Sequence, residues 1–153
     1  MAGKVISELI RQGVKPVILT YETCGDWDID LTIYKIPEPY KVNVFSKIPF
    51  FGKLVSLWNE WRYYKNLMHF SKKIIKDHNI NVIFSFSNPQ ESNVLGAMLK
   101  KHLNIPFISH FSDPWVDNPY KKFGVLSYLK TRFLEKFIVK YSNIIIFTNQ
   151  EAS

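Results

Sequence analysis

The stretch NVIFSFSNPQESNVLGAMLKKHLNIPFISHFSDPW, residues 81–115, decides the fold. Two short apolar segments, residues 81–87 and 105–111, have the composition of buried strands. The segment between them, residues 91–103, carries apolar side chains at helical spacing: Val94, Leu95, Met98, Leu99 and Leu103. A strand, a helix and a second strand of these lengths predict a right-handed βαβ unit with parallel strands.

Each of the two predicted strands runs into a polar turn. Ser87 and Asn88 follow the first strand, and Asp113, Pro114 and Trp115 follow the second. Open parallel sheets bind ligands beyond the carboxyl ends of their strands. Both turns are therefore candidate binding sites.

The start of the helix is predicted from its capping residues. Asn88 can serve as N-cap, Pro89 suits the first helical position, and Glu91 completes a capping box. Capping alone would explain these residues. A helix N-terminus also offers free backbone N–H groups to an anion, so a binding role for Asn88 stays open.

Asp113 and Trp115 have two interpretations when taken alone. Asp113 can be a turn former and Trp115 an apolar plug for the core. Alternatively, both side chains face a ligand, because they follow a buried strand of a parallel sheet. The wider segment favours the second interpretation.

Residues 87–115 resemble the N-terminal domain of GT-B glycosyltransferases of the family 4 type. The resemblance rests on a Ser/Pro turn before a helix and on a strand that ends in DPW. Residues 133–149, FLEKFIVKYSNIIIFTN, resemble the next unit of that family, an acidic residue in an amphipathic helix before a strand that ends in Ser or Thr. Many members have a histidine where this chain has Ser112, so no histidine role carries over.

The resemblance implies an α/β fold, a Rossmann-like parallel sheet with helices on both faces, as one half of a GT-B fold. It implies transfer of a sugar from a nucleotide sugar to a cell-envelope or lipid-linked acceptor, with retention and with no essential metal or other cofactor. Asp113 would be the catalytic candidate. Ser87, Asn88 and Trp115 would orient the acceptor or the sugar.

The N-terminal part predicts a helix at residues 4–11 that Gly13 ends, then strands at residues 16–21 and 29–36. In the family, this helix follows a first strand and a glycine loop, and a C-terminal domain holds the nucleotide-sugar donor. We therefore expect one N-terminal, acceptor-side domain over residues 1–153, without that first strand and without the donor domain.

Residues 53–77 predict one long helix, or two helices in succession, with aromatic and apolar side chains along one face. Lys65, Lys72 and Lys73 belong to a basic arc beside that face. An ordinary domain helix with a solvated basic side explains the pattern. A membrane-binding helix is the alternative, with aromatic rings among lipid headgroups and lysines at anionic lipid.

The last part of the chain predicts one more helix and one more strand. The helix covers residues 124–141 and has four side chains expected to be buried: Leu126, Leu129, Phe133 and Phe137. The strand covers residues 143–148. Residues 149–153 have the composition of the start of a further helix.

Composition limits the partners and the compartment. A formal charge of +7 favours an anionic partner such as nucleic acid, a phosphorylated sugar or an anionic lipid surface. The lone Cys24 cannot form an internal disulfide, which is consistent with a reducing cytoplasm. No apolar run has the length of a membrane span, so we expect a cytoplasmic protein, with a peripheral position on the inner face of the cell membrane as an option. The histidines and the cysteine show no shared metal spacing, and no metal site is predicted.

Two alternatives to a transferase half remain. One is a non-catalytic, basic Rossmann-like module that binds nucleic acid or a protein. Nucleic acid is the weaker choice, because the basic residues alternate with large aromatic residues that are expected to be buried. The other alternative is one subunit of a split transferase, whose donor domain is a separate polypeptide.

Overall fold

The computed structural model describes residues 2–22, 31–38, 49–112, 115–116 and 124–148, with the backbone alone for residues 49–57. The elements within these residues are α1 (Ala2–Arg11), β1 (Val17–Tyr21), β2 (Thr32–Ile36), α2 (Pro49–Asp77), β3 (Ile83–Ser85), α3 (Glu91–Leu103), β4 (Phe107–Phe111), α4 (Val125–Tyr141) and β5 (Ile144–Phe147). The chain divides into two compact units, residues 1–65 and 66–153.

The protein is α/β, with parallel strands that alternate with helices, as predicted. The prediction of one Rossmann-like sheet is wrong for the described residues, because the strands form two small sheets. One sheet contains β1 and β2, and the other has the order β3-β4-β5. The strand β3 is short, and all three of its residues pair with β4.

The first unit contains α1 and the sheet of β1 and β2. Gly13 ends the α1 region as predicted: its φ is +80°, and its N–H donates to the Ile10 carbonyl at 2.9 Å. Only a residue without a Cβ adopts this backbone conformation at no steric cost. β1 and β2 then pair in parallel from Val17↔Thr32 to Tyr21↔Ile36.

The second unit contains a βαβαβ unit, and its strands lie side by side in chain order. The β3–β4 ladder begins at Ile83↔Phe107, and the β4–β5 ladder begins at Ile108↔Ile144. Right-handed connections between strands in this order place both connecting helices on the same face of the sheet. In agreement, α3 and α4 contact each other, and α3 also contacts β3 and β4.

Helix α3 packs closely on the sheet through its only glycine. A Cβ at Gly96 would lie 2.2 Å from Cε2 of the buried Phe107 ring, so only glycine fits there. The predicted apolar face of α3 is confirmed at its centre, where three of the predicted residues are buried: Val94, Leu95 and Leu99. Met98 is half-buried and Leu103 is exposed.

The predicted capping box at the start of α3 is wrong. The helix begins at Glu91, and its N-cap position is Gln90, whose side chain makes no capping hydrogen bond. The first turn is instead held by Ser92, whose hydroxyl donates to the carbonyls of Phe86 and Pro89. Asn88 therefore lies outside the helix, because Pro89 and Gln90 separate it from the first helical residue.

Helix α4 has the predicted bounds but not the predicted burial. Leu126, Leu129 and Phe133 are exposed, Phe137 is half-buried, and Ile138 is completely buried. The periodicity correctly indicated an amphipathic helix. The prediction was wrong about which part of the helix faces the sheet, because Ile138 lies on the side opposite Leu129 at 100° per residue.

The long helix α2 begins at Pro49, four residues earlier than predicted. Three apolar side chains in its second half are buried: Leu67, Met68 and Ile74. No helix in the described residues combines the length and the apolar character that a membrane crossing requires.

Candidate functional site

The carboxyl edge of the three-stranded sheet carries a row of hydroxyl groups. Ser87, Ser112 and Thr148 follow β3, β4 and β5, and we call them the carboxyl-edge cluster. The Ser87 and Ser112 hydroxyl oxygens lie 2.8 Å apart, and the Ser112 N–H donates to Ser87 Oγ at 2.9 Å. Thr148 Oγ1 donates to the Ser112 carbonyl at 3.1 Å. The three strand ends are therefore joined side by side through their hydroxyls.

The members of the cluster differ in their access to a ligand. Ser87 is buried, so the predicted binding residue acts here as a link that positions Ser112. Ser112 is half-buried, while Thr148 and the predicted Asn88 are exposed. Direct contact with a ligand is open to these three residues and much less so to Ser87.

A buried asparagine contacts β3 and β4 just before the residues of the carboxyl-edge cluster. Asn93, in the first turn of α3, is completely buried. Its Oδ1 accepts the Ser85 hydroxyl, and its Nδ2 donates to the His110 carbonyl at 3.1 Å. Because a buried amide requires such partners, Asn93 fixes the start of α3 to the ends of β3 and β4.

His110 is buried on the face of β4 that is opposite to the face covered by α3. Its ring packs against Phe86, with 5.5 Å between the ring centroids. Neither ring nitrogen has a hydrogen-bond partner among the described residues. Burial lowers the pKa of the His110 imidazole below its usual value, because the charged form loses its hydration. The side chain is therefore a neutral part of the core at neutral pH.

Trp115 occupies the core rather than the surface. It is 3% exposed, and its ring lies 5.8 Å from that of Phe111. The indole N–H has no partner among the described residues. This burial favours packing over direct binding, although the predicted role in orienting a substrate stays a prediction.

A carboxylate from α4 holds the segment that follows β4. Glu135 Oε2 accepts the backbone N–H groups of Trp115 and Val116, each at 3.0 Å. Hydrogen bonds to a charged acceptor are stronger than those between neutral groups. Glu135 thus ties the backbone just beyond Asp113 to the neighbouring helix.

Asp113 lies outside the described residues, as does Pro114. The catalytic role that the resemblance implies for Asp113 stays a prediction. Its sequence position, between Ser112 of the carboxyl-edge cluster and the backbone that Glu135 anchors, places it next to both features along the chain.

The three lysines predicted to bind a membrane have different settings. In the first unit, Lys65 is exposed, and its Nζ lies 5.1 Å from the centre of the Trp61 ring. In the second unit, Lys73 is exposed and Lys72 is half-buried. The membrane role of these three lysines stays a prediction.

Sequence reasoning did not single out Asn93, Thr148 or Glu135 individually. A weak signal existed for two of them, because an acidic residue in a helix before a strand that ends in threonine belongs to the quoted resemblance. No signal marked Asn93, since an asparagine in the first turn of a helix is common on the surface. Among the described residues, no group of three His, Cys, Asp or Glu side chains is placed to hold a metal ion.

Comparison with known proteins gives no match to this chain. No protein-family profile matches it, and neither the curated proteins nor the solved structures contain a significant relative. The GT-B resemblance is therefore a hypothesis that rests on the residues of this chain alone.

Proposed function

We propose that the chain is the acceptor-binding half of a GT-B glycosyltransferase. The observation that carries the proposal is the carboxyl-edge cluster, which closes three neighbouring parallel strands with hydroxyl groups. This edge is where open parallel sheets bind their ligands. The proposal includes helices on both faces of the three-stranded sheet, with α3 and α4 on one of these faces.

In the proposed reaction, the sugar moves from a nucleotide sugar to a hydroxyl of the acceptor. A second, donor-binding domain would hold the nucleotide. Ser112, Thr148 and Asn88 would contact the acceptor at the carboxyl edge, because their side chains are accessible there. Asp113 would accept the acceptor's hydroxyl hydrogen and take the proton as the new bond to the sugar forms and the nucleotide leaves.

Two further residues would serve this site indirectly. Ser87 would set the position of Ser112 through the 2.8 Å contact between their hydroxyls. Glu135 would hold the backbone on the far side of Asp113. Their contribution would be to keep the accepting groups in one geometry, which catalysis by positioning requires.

The charge of +7 supports an acceptor at an anionic surface. A cytoplasmic protein that rests on the inner face of the cell membrane through Lys65, Lys72 and Lys73 would meet a lipid-linked acceptor there. The nucleotide sugar would arrive from the same compartment.

Acceptor binding by the purified chain tests this function. Lipid-linked saccharides and fragments of cell-envelope glycans would be titrated in detergent, beside a set of nucleotide sugars. We expect binding of an acceptor without sugar transfer by this chain alone. Loss of a hydrogen bond to a charged group weakens binding by about 10- to 100-fold, so Asp113→Asn should lower the affinity by that factor with an unchanged Tm.

Asp77→Asn is the matched control, since Asp77 is an exposed carboxylate at the end of α2. It should leave acceptor affinity unchanged. Binding of no saccharide would contradict the proposed function, and sugar transfer by the chain alone would contradict the proposal that it is only half of the enzyme. An unaffected Asp113→Asn variant would leave Asp113 as a turn former.

One observation favours the second candidate, a basic module that binds nucleic acid. Trp58 and Trp61 are 60% and 53% exposed, and their ring centroids lie 5.3 Å apart. With Lys65 over the Trp61 ring, they form an aromatic and basic patch of the kind on which unpaired bases stack. The earlier objection, that the aromatic residues are buried, does not hold for these two.

Titration with single-stranded DNA and RNA separates the two functions. The second candidate predicts quenching of tryptophan fluorescence, a strong decrease of affinity with salt, and a loss of binding in Trp61→Ala. The transferase proposal predicts none of these at physiological salt. Tyr34→Ala provides an aromatic control in the same unit, since Tyr34 is half-buried in β2.

A further inference from the structure

Helix α4 presents an apolar surface away from the sheet. We call it the outward face of α4 and define it by four apolar and two basic residues: Val125, Leu126, Leu129, Phe133, Lys136 and Lys140. The apolar four are 77%, 76%, 55% and 70% exposed, whereas Ile138 on the opposite side is 0% exposed. At 100° per residue, all six lie within an arc of about 100° of the helix circumference.

The two ends of this face differ in chemistry. The first half carries the four apolar side chains, and the second half carries the exposed Lys136 and Lys140. Arg132 is exposed at the flank. The only acidic residue of α4 is Glu135, whose carboxylate is turned to the backbone of Trp115 and Val116. The outward face therefore has positive charge and no negative charge.

Large apolar side chains that are this exposed mark an interaction surface. Leu129 and Phe133 are both exposed, and they lie on the same arc of the helix as the exposed Lys136 and Lys140. A face of this composition matches the boundary between lipid headgroups and acyl chains, where aliphatic and aromatic side chains enter the apolar layer and lysines meet anionic headgroups.

A second copy of the chain fits this face less well. Antiparallel helices would press Lys136 and Lys140 onto the apolar half of the partner, and parallel helices would bring the lysines together. In both arrangements the ammonium groups lose water and gain no carboxylate, which costs free energy. An anionic lipid surface supplies the missing negative charge and leaves the lysines hydrated.

We propose that the outward face of α4 docks the protein on anionic lipid bilayers. Leu126, Leu129 and Phe133 enter the headgroup boundary, and Lys136 and Lys140 contact anionic headgroups. This surface is separate from Lys65, Lys72 and Lys73 of α2. The proposal does not depend on transferase activity, because it rests on the exposure and charge of α4 alone.

Sedimentation with vesicles tests the proposal. We expect the full chain to bind vesicles of phosphatidylcholine with phosphatidylglycerol at about 0.1 M salt and to bind pure phosphatidylcholine much less. Each lysine near an anionic surface contributes about fivefold to the partition coefficient, so Lys136→Glu with Lys140→Glu should lower it about 25-fold or more. Leu129→Ser with Phe133→Ser should also lower it about tenfold or more, since apolar burial is lost.

Lys4→Glu with Lys15→Glu is the matched control. Both lysines are exposed, lie outside α4, and change the net charge by the same amount as the α4 pair. This control should lower binding by no more than about fivefold. The substituted α4 side chains are exposed, so the Tm of every variant should stay close to that of the parent chain.

A site-specific label gives a readout that does not depend on loss of binding. In a Cys24→Ser background, a polarity-sensitive fluorophore on Leu126→Cys should shift to shorter wavelength when anionic vesicles are added. The same fluorophore on Lys15→Cys should shift much less.

Three results would overturn the proposal. The first is no binding of the parent chain to anionic vesicles. The second is an equal loss in both double lysine variants, which would indicate that net charge alone drives binding. The third is a parent chain that is oligomeric without lipid and becomes monomeric in Leu129→Ser with Phe133→Ser, which would make the face a protein interface.

Discussion

Helices α3 and α4 follow neighbouring strands of the same sheet and contact each other, yet they bury very different parts of their surfaces. In α3, six consecutive or near-consecutive residues are buried: Asn93, Val94, Leu95, Gly96, Ala97 and Leu99. In α4, Ile138 is the only residue that is fully buried among the described side chains. The buried residues of α3 lie on most sides of the helix, whereas α4 has a single fully buried residue among its described side chains.

The difference shows that helical periodicity and burial are separate properties. Both helices carry apolar residues at spacings of three and four. In α3 these residues meet β3, β4 and α4, whereas in α4 the residues Leu126, Leu129 and Phe133 face outward. Periodicity indicates that a helix has an apolar face, but only the tertiary contacts determine what covers that face.

The largest expected effect comes from the one buried contact of α4. Ile138→Ala removes a completely buried side chain and leaves a cavity, so the free energy of unfolding should fall by about 2–5 kcal/mol. Phe133→Ala should change it by no more than about 0.5 kcal/mol, because that ring is already in water. Urea denaturation of both variants gives the two values. Equal losses would mean that the outward face of α4 is covered in solution.

A smaller effect is expected where α3 meets the sheet. The methyl group of Gly96→Ala would overlap the Phe107 ring, and overpacking of this kind costs about 1–3 kcal/mol. Gly124→Ser is the matched change at the start of α4, where a Cβ would meet nothing within 4 Å. We expect the serine variant to be as stable as the parent chain, since serine is a good N-cap residue.

The clash itself can be tested with a double variant. Phe107→Leu removes part of the ring that occupies the space above Gly96. Gly96→Ala combined with Phe107→Leu should therefore be destabilised by less than the sum of the two single variants, by about 0.5–3 kcal/mol. Strictly additive losses would show that the close approach of α3 to β4 is not what destabilises Gly96→Ala.

The carboxylates of the two helices provide a third contrast. Glu135→Gln keeps an oxygen for the N–H groups of Trp115 and Val116 but removes the charge, so we expect a loss of about 1 kcal/mol. Glu91→Gln, in the first turn of α3, removes only a favourable interaction with the helix dipole, about 0.3–1 kcal/mol. Thermal unfolding of both variants at neutral pH measures the difference. A larger loss for Glu91→Gln would show that Glu135 is not an anchor of the segment after β4.

The βαβαβ order of the second unit could be predicted from the sequence, because short apolar segments alternated with helical periodicity and with turn residues. The element bounds agree to within a few residues: for example, the strand predicted at 105–111 is Phe107–Phe111. The stop of α1 at Gly13 was also predictable, since a positive φ there favours glycine strongly.

The division into two sheets could not be predicted, because hydrogen bonds between strands depend on contacts that are distant in sequence. The prediction of which α4 side chains are buried failed for the same reason. At the site, Ser87 was identified from its position after a strand, but its burial against Ser112 was not. A serine exposed in a turn and a serine buried against a neighbouring strand look the same in the sequence. Only the position of the neighbouring strand shows which of the two Ser87 is.

The smallest expected effect concerns β4, the strand that lies between the two helices in the chain. His110 in β4 is buried, and its backbone carbonyl accepts the Asn93 amide of α3. Burial lowers the pKa of the folded state below the unfolded value near 6.5, so the unfolded chain binds more protons in mildly acidic solution. The free energy of unfolding should therefore decrease as the pH falls below about 6.5, and the decrease should stop once the pH is below the folded pKa. In His110→Leu this part of the pH dependence should disappear, which urea denaturation between pH 5 and 8 would measure. If the parent chain and His110→Leu lose stability in parallel over that range, the imidazole reaches water or a partner in solution and is less buried than the structure shows.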